Sequence, residues 1–231
     1  MVIQVVTLFP EMFDGVFSHS ILGRAQAHGI VDLRVVPLRS FGLGPHRMVD
    51  DYPFGGGHGM LLRADVVVPA VEWSMAHVAV DPVVLMTSAQ GEPFSQALAE
   101  QLATMEHLII VAGHYEGVDD RVTNLLNARE VSVGDFILTG GEIPAMILVD
   151  AVTRLLPDAL GAKHGAQQDS FSTSNRGLEG PQYTRPEVYR GQRVPDILLS
   201  GHHERIAAWQ TAMAKARTRE RRPDLDESSD V

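Results

Sequence analysis

Short apolar runs alternate with amphipathic stretches over the first two thirds of the chain. Runs rich in β-branched residues have the length of strands and lie at residues 2–9, 31–38, 83–87, 108–112 and 131–138. Between them, apolar positions recur with helical periodicity at residues 64–76, 96–105 and 119–128. Strands and helices alternating at these spacings predict an α/β fold in which helices cover a parallel sheet.

Loops of small residues follow three of the predicted strands, at residues 88–91, 113–117 and 138–141. Ligands of parallel α/β sheets bind outside the carboxyl ends of the strands, so these loops predict a shared binding site. A long loop at residues 39–60 contains a further glycine block at residues 55–59. Loops of this length inside compact domains are usually functional or disordered.

An apolar helix is predicted at residues 142–156, where only Asp150 and Arg154 interrupt the hydrophobic positions and Pro157 ends the pattern. An arginine on a buried helix costs free energy unless it is paired. Arg154 lies four residues after Asp150, so a helical ion pair is one explanation for it and a functional role is the other.

The remaining sequence divides into a linker and a small domain. Residues 158–180 are rich in Gly, Ser, Gln and Asn and predict a flexible linker or lid. We therefore expect a larger domain at residues 1–157 and a helical one at 181–231. In its last helix one apolar stripe is expected to pack, formed by Ile206, Trp209, Met213 and Ala216.

Composition indicates an ordinary soluble protein, with 231 residues, 45% hydrophobic and 21% charged. No apolar run approaches the roughly 20 residues that span a bilayer, and the N-terminus lacks the basic start of a signal peptide. The absence of cysteine excludes disulfides, thiolate chemistry and cysteine zinc sites. These features predict a cytoplasmic protein.

The net charge of −10 argues against a protein that grips nucleic acid over its whole surface. Residues 202–222 nevertheless carry six Lys or Arg against two Glu, a local charge of +4, before an acidic tail. A solvated helix face is the commoner explanation of such a segment, and local contact with RNA is the alternative.

Common catalytic and nucleotide-binding motifs are missing from the sequence. There is no Walker A loop, no Gly-x-Gly-x-x-Gly after the first strand and no Gly-x-Ser-x-Gly elbow. Residues 202–205 lack the second histidine of a zincin, and the ten histidines have no metal-ligand spacing. These absences argue against a P-loop NTPase, an ordinary dinucleotide fold, a serine hydrolase and a zincin.

Seven motifs follow one another along essentially the whole chain. They are Leu8–Phe13, Val49–Gly57, Gly113–Val122, Ser132–Glu142, Asp169–Phe171, Tyr183–Pro186 and Val194–Gly201. In their order and spacing they resemble the bacterial tRNA (guanine-N1)-methyltransferases of the TrmD family, which belong to the knotted SPOUT class. The resemblance implies a deep trefoil knot at the carboxyl end of the sheet, a feature too rare to infer from periodicity.

The resemblance also implies that S-adenosylmethionine, the methyl donor, binds bent in a pocket of three knot loops. Adenine and ribose would contact residues 86–91 and 133–141, and the methionine part would lie near Gly113, Tyr115 and Glu116. Glycines there allow close approach of the backbone. The implied cofactor residues are Met86, Thr87, Ser88, Ala89, Gln90, Gly91, Gly113, Tyr115, Glu116, Ser132, Val133, Gly134, Phe136, Leu138, Gly140, Gly141 and Pro144.

For catalysis the resemblance implies that Asp169 removes the guanine N1 proton and Arg154 stabilises charge on O6, with Glu116 also at the site. The target base must leave its stack, and a segment carrying Asp169 could close over it. Taken alone, Asp169 reads as a turn or cap residue and Glu116 as part of a strand-end turn. Asp119 or Asp120 suits a helix N-cap better than a catalyst.

Partners also follow from the resemblance. It implies a homodimer whose site combines the knot of one subunit with the linker and C-terminal domain of the other, so that Asp169 serves in trans. The substrate would be a tRNA with guanine 3′ of the anticodon, bound on the basic helix and modified at position 37. The family's reaction depends on Mg²⁺, which RNA or a single carboxylate would hold here, because the sequence contains no dedicated set of metal ligands.

The sequence departs from the family's usual pattern at positions 58, 89, 136, 165 and 202. His58 and Ala89 stand where proline is common, Phe136 where tyrosine is frequent, Gly165 where serine is often found and His202 where asparagine is common. None of these changes removes an implied catalytic group. They put affinity in doubt and leave the reaction unaltered.

Three rival functions are weaker. A knotted ribose 2′-O-methyltransferase would need other catalytic motifs than those at residues 169–171 and 183–186. A catalytically silent RNA-binding protein would not need Asp169, Arg154 and the loop glycines. An unrelated small-molecule α/β enzyme would leave the basic helix unexplained.

Overall fold

The computed structural model describes residues 1–161, 169–172 and 176–225. The chain forms two compact units, Met1–Lys163 and His164–Val231. In the first unit the strands are β1 Val2–Thr7, β2 Asp32–Pro37, β3 Asp50–Asp51, β4 Leu61–Leu62, β5 Val83–Pro93, β6 His107–Val111 and β7 Arg129–Ser132. Its α-helices are α1 Asp14–Phe17, α2 Ser20–Ala27, α3 Ala64–Ala76, α4 Gln96–Leu102, α5 Arg121–Leu126 and α6 Glu142–Thr153.

The central sheet has five strands in the order β2-β1-β6-β5-β7, and every neighbouring pair is parallel. This confirms the predicted α/β fold with a parallel sheet. All five strands present their carboxyl ends at one edge of the sheet, which is where the predicted site should lie. Short strands β3 and β4 form a separate antiparallel hairpin.

Apolar strand residues alternate between two cores, one on each face of the sheet. In β6, Leu108 and Ile110 belong to a cluster that includes residues of α2, α4 and α6. Ile109 and Val111 point the other way, into a cluster with residues of α3 and α5. Because both faces of the sheet are buried, the sequences of its strands are continuous apolar runs.

Strand β5 contains the main irregularity of the sheet. Thr87 and Glu92 both pair with Val131 of β7, so residues 88–91 bulge out of the ladder. An added Cβ at Gly91 would overlap the peptide between Glu130 and Val131, and glycine at this position therefore lets the two strands approach.

The predicted boundaries needed correction at the last strand. The apolar run predicted a strand over 131–138, whereas β7 ends at Ser132. Gly134 has φ +147, and its N–H donates to Ser132 Oγ at 3.3 Å, so the chain turns away from the sheet. Residues 133–138 are therefore a loop. The helix predicted at 142–156 likewise ends at Thr153, before Pro157.

The second unit contains a small hairpin and two helices, which are β8 Val188–Tyr189, β9 Gln192–Arg193, α7 Asp196–Leu199 and α8 His203–Arg221. Ile206, Trp209 and Met213 are partly buried as expected, but Ala216 is exposed and Thr218 is buried in its place. The predicted apolar stripe was therefore wrong at its C-terminal end. The buried face at this end of α8 is the one that contacts Leu178 and Glu179 through Thr218 and Arg217.

The described part of the predicted linker is held against α8. Thr218 Oγ1 accepts a hydrogen bond from the Leu178 N–H at 2.9 Å, and Arg217 donates to the Glu179 carbonyl oxygen at 3.2 Å. The Glu179 N–H in turn donates to Ser170 Oγ at 2.9 Å. Other parts of the predicted 158–180 linker, residues 162–168 and 173–175, lie outside the described residues.

Candidate functional site

A cavity of about 680 Å³ lies at the carboxyl ends of β5, β6 and β7. Three loops surround it, which are the bulge of β5, residues 113–118 after β6 and residues 133–141 after β7. The volume is within the range of pockets that bind cofactor-sized ligands. The cavity therefore occupies the place that the three small-residue loops predicted.

Backbone contacts close the three loops on one another. The Gly141 N–H donates to the Gly113 carbonyl oxygen at 2.6 Å, and the Gly113 N–H donates to Thr87 Oγ1 at 3.2 Å. An added Cβ at Gly141 would overlap Thr87 Oγ1 and come within 2.6 Å of Gly113 N. Only glycine at 141 leaves room for this arrangement.

The loop after β6 is fixed on its outer side by the β3–β4 hairpin. The Glu116 N–H donates to the Met60 carbonyl oxygen at 3.1 Å, and the Leu62 N–H donates to the Gly117 carbonyl oxygen at 2.9 Å. Gly59 has φ +82, and an added Cβ there would overlap the Glu116 side chain. The glycine block of the sequence is thus the tip of a hairpin whose base supports the cavity wall.

A buried polar network lies beneath the same loop. Thr7 Oγ1 donates to Glu142 Oε1 at 3.0 Å, and His114 Nδ1 lies 3.3 Å from Glu142 Oε2. The His114 ring packs between Phe9 and Tyr115, with ring centroids 4.8 and 5.0 Å away. The network ties β1 and α6 to the loop that carries Tyr115 and Glu116.

The loop after β7 gives the cavity an apolar rim. Phe136, Ile137 and Leu138 line the cavity and are exposed to solvent, Ile137 by 82%. Such a rim offers planar or apolar ligand groups a surface to cover, while Ser88, Ser132 and the loop backbones supply polar groups.

The structure brings nearly all of the implied cofactor residues together. Every one of them lines the cavity except Gly91, which packs against β7. Among the described residues, six other lining residues were not assigned to the site from the sequence: Leu61, Val118, Asp120, Thr123, Glu130 and Val131. His114, Gly117 and Ile137 also line the cavity, and they lie in the loops at 113–117 and 133–141 that were expected to form the site. Thr123 and Glu130 carried no sequence signal.

The three implied catalytic residues lie in different places. Glu116 lines the cavity. Arg154 is partly buried at the C-terminal end of α6, a helix of 12 residues that begins beside the cavity. Arg154 is not among the residues that line the cavity, and at a rise of about 1.5 Å per residue roughly 18 Å separates the two ends of the helix. Asp169 belongs to the second unit, where its carbonyl oxygen accepts the Ser172 N–H at 3.3 Å.

Asp119 has the structural role that its position suggested. Its Oδ1 accepts the Arg121 backbone N–H at 3.0 Å at the start of α5, whereas Asp120 makes no side-chain capping bond. Hydrogen bonding by the Arg121 guanidinium, at 2.6 to 2.9 Å, lowers the pKa of the Asp119 carboxyl despite partial burial. Arg63 pairs with Asp65 in the same way and lowers the pKa of that carboxyl.

The basic helix and the departures from the family pattern can also be placed. On α8, Arg205, Lys215, Arg219 and Arg221 are exposed. Ala89 and Phe136 line the cavity, whereas His58 is exposed on the hairpin tip and His202 precedes α8. Gly165 lies outside the described residues.

Residues 1–161, 169–172 and 176–225 contain neither a membrane-spanning helix nor a metal-ligand cluster. No helix there is long and apolar enough to cross a membrane. No group of three or more His, Cys, Asp or Glu in these ranges could hold a metal ion.

Comparison with known proteins gives a family match over nearly the whole chain. The family model described as tRNA (guanine-1)-methyltransferase TrmD matches residues 1–228. A relative from Moorella thermoacetica is 52% identical over 225 residues, covering 96% of this chain and 89% of the relative. Relatives from Halalkalibacterium halodurans, 52% identical (97% and 91% covered), and Bacillus subtilis, 49% identical (97% and 92% covered), are similar. All three are named tRNA (guanine-N1)-methyltransferase.

Proposed function

The chain belongs to the TrmD family of tRNA (guanine-1)-methyltransferases, and we propose that it methylates N1 of guanine at tRNA position 37, directly 3′ of the anticodon. The methyl donor of this proposal is S-adenosylmethionine. The observation that carries it is the cavity at the carboxyl edge of the sheet, enclosed by the same three loops in which the family resemblance locates the cofactor.

The cavity residues fit this cofactor. Adenine and ribose are assigned to the bulge of β5 and residues 133–141, where the apolar rim can cover a purine. The methionine part is assigned to the wall at Gly113, Tyr115 and Glu116. When bound, the sulfonium supplies an electrophilic methyl group, so no covalent enzyme nucleophile is required.

The protein's own task is to deprotonate and orient the guanine. Asp169 is assigned as the general base that accepts the N1 proton, and Arg154 as the cation that stabilises negative charge on O6. Glu116, at the cavity wall, is assigned to the substrate side of the pocket. These roles come from the family resemblance.

A homodimer with shared active sites completes the proposal. Arg154 lies at the far end of α6 and is absent from the lining of the cavity, which supports an arginine supplied by a second chain. Asp169 is assigned to the partner as well. Each site then combines one chain's three loops with the other chain's Arg154 and Asp169.

The trefoil knot and the tRNA-binding domain remain parts of the proposal. A knot at residues 113–141 is supported by the tight contact of Gly141 with Gly113 and the bridge between His114 and Gly140. We assign residues 158–180 to a lid and 181–231 to tRNA binding, because exposed cations on α8 offer phosphates a local partner on an acidic protein. A cytoplasmic location follows from the tRNA substrate.

A Mg²⁺ requirement is carried over from the family with less structural support. The described ranges contain no cluster of three carboxylate, histidine or cysteine side chains that would cage the ion. RNA or a single carboxylate would therefore have to hold it.

The substitution Asp169→Asn tests the assigned base. We expect methyl transfer to fall by about 10²- to 10⁴-fold, as for loss of a general base, with the dissociation constant of S-adenosylmethionine unchanged. The matched control is Asp196→Asn, an exposed acid of the same unit at the start of α7. Wild-type transfer rates in Asp169→Asn would refute the assignment.

A further inference from the structure

Glu142 is a buried carboxylate without a role in the reaction described above. It is the first residue of α6 and is 1% exposed, and in the described part of the chain it is the only acidic residue that is buried. Taking a carboxylate out of water costs free energy that an apolar side chain of similar volume would not cost. Stability alone therefore does not account for an acid at this position.

Three neighbours compensate for the burial. Thr7 Oγ1, itself fully buried, donates to Oε1 at 3.0 Å. With its proton on Nδ1, His114 donates to Oε2 at 3.3 Å. Position 142 also lies in the first turn of α6, where the helix dipole favours negative charge.

The hydrogen bonds of Glu142 join β1, α6 and the cavity wall. Thr7 ends β1, Glu142 begins α6, and His114 belongs to the cavity wall directly before Tyr115 and Glu116. His114 also forms the bridge to Gly140 in the next loop. One carboxylate thus sets the distance between the loop after β6 and the loop after β7.

There is little room for another arrangement. An added Cβ at Gly140 would overlap both Glu142 Oε2 and His114 Nδ1. The His114 ring contacts the rings of Phe9 and Tyr115. A shift of the His114 ring after loss of its partner on Nδ1 would therefore reach Tyr115 and the cavity wall.

We propose that Glu142 is a positioning residue for the methyl-donor pocket. Through His114 it holds the turn containing Tyr115 and Glu116 against residues 138–141, in the geometry that binds the cofactor. The identity of the ligand as S-adenosylmethionine rests on the proposed function. The positioning itself does not, since it concerns contacts within the chain.

The test compares Glu142→Gln, His114→Phe and the double variant with the wild type; phenylalanine keeps a ring at position 114 and has no donor. In Glu142→Gln, amide hydrogen exchange should accelerate at Gly141 and at residues 113–117, measured without any ligand. The KM for S-adenosylmethionine should rise by about ten- to a hundred-fold, as for loss of a hydrogen bond to a charged group, with kcat within about two-fold. His114→Phe should give the same changes, and the double variant should add nothing further.

Ser74→Ala is the matched control. Ser74 is another fully buried polar residue, on α3, and its hydroxyl donates only to the Ala70 carbonyl oxygen at 2.8 Å. Its loss should lower the melting temperature without accelerating exchange in the cavity loops. The proposal is wrong if Glu142→Gln, like this control, leaves exchange in the cavity loops unchanged. It is also wrong if the increases in KM of the two single variants multiply in the double variant.

Failure of the proposed function would look different. If the wild type does not bind S-adenosylmethionine, but exchange in the loops still responds to Glu142→Gln, the ligand assignment fails and the positioning role stands. If Glu142→Gln does not fold, His114→Phe alone decides, because exchange at Gly141 must then accelerate in that variant.

Discussion

At the scale of single residues, glycine 141 is demanded by packing, not by backbone conformation. Its φ of −87 is open to any residue, yet an added methyl group would overlap Thr87 Oγ1 and crowd Gly113 N. Three loops meet at this point, and two of them are held by hydrogen bonds to or from Gly113. A side chain there would have to separate the loops that enclose the cavity.

We expect Gly141→Ala to weaken binding of S-adenosylmethionine by more than about a hundred-fold. The added methyl group would overlap the buried Thr87 hydroxyl and the Gly113 backbone, and moving either costs free energy. Titration calorimetry measures the affinity. Gly15→Ala is the control, since nothing lies within 4 Å of the added methyl group, and it should bind like the wild type. Normal affinity in Gly141→Ala would mean that the loops are not closed as described.

At the scale of elements, the start of α5 is fixed to the preceding loop by Asp119. The carboxylate accepts hydrogen bonds from the Arg121 backbone N–H and from the Nε–H and Nη2–H of the Arg121 side chain. The side chain of Asp119 is 23% exposed and that of Arg121 is 69% exposed, so water screens the pair and its contribution is small.

The pH dependence of this pair has a definite sign. The pKa of Asp119 is lower in the folded chain than in the unfolded chain, where it is about 3.9. The ion pair therefore stabilises the fold above the unfolded-state pKa. This stabilisation is lost as the pH falls through the folded-state pKa. Asp119→Asn, which keeps a capping oxygen, should lower the melting temperature by about 2 °C at pH 7. The difference should shrink as the pH falls below the unfolded-state pKa and should vanish once the carboxyl is protonated in the folded chain as well. Asp120→Asn is the control, and a difference that persists in acid would contradict the account.

Elements with a long periodic signal were predictable from the sequence, and those held by distant contacts were not. Helix α3 was predicted and observed at the same residues, 64–76, because its apolar positions face a buried core. The β3–β4 hairpin has strands of two residues, too short for any periodicity. The contact of His114 with Glu142 joins positions 28 apart in sequence, which no local pattern reveals.

At the scale of the whole molecule, the proposal makes a second chain part of the active site, because it assigns Arg154 of one chain to the cavity of the other. Mixed dimers of Arg154→Ala and Gly141→Ala chains test this directly. The Arg154→Ala chain keeps an intact cavity and would receive its arginine from the Gly141→Ala chain, so one of the two sites should work. Each homodimer alone should be inactive. A purified mixed dimer without activity would contradict a site shared between chains.

The limits of prediction at this scale are physical as well. Family resemblance supplied Arg154 as a site residue, but only the structure shows that it lies at the end of α6 and is not part of the cavity lining. The sequence likewise located the basic segment, while the helix reveals which of its cations are exposed. The spacing of residues in the sequence does not determine which helix ends and strand ends lie close together in the folded chain.

The measurement that tests the central claim most directly is methyl transfer from labelled S-adenosylmethionine to two tRNA transcripts, identical except for guanine or adenine 3′ of the anticodon. Nucleoside analysis of the product identifies the methylated atom. The account predicts label on the guanine transcript alone, recovered as N1-methylguanosine. Equal labelling of both transcripts, or recovery of a ribose 2′-O-methyl nucleoside, would contradict it.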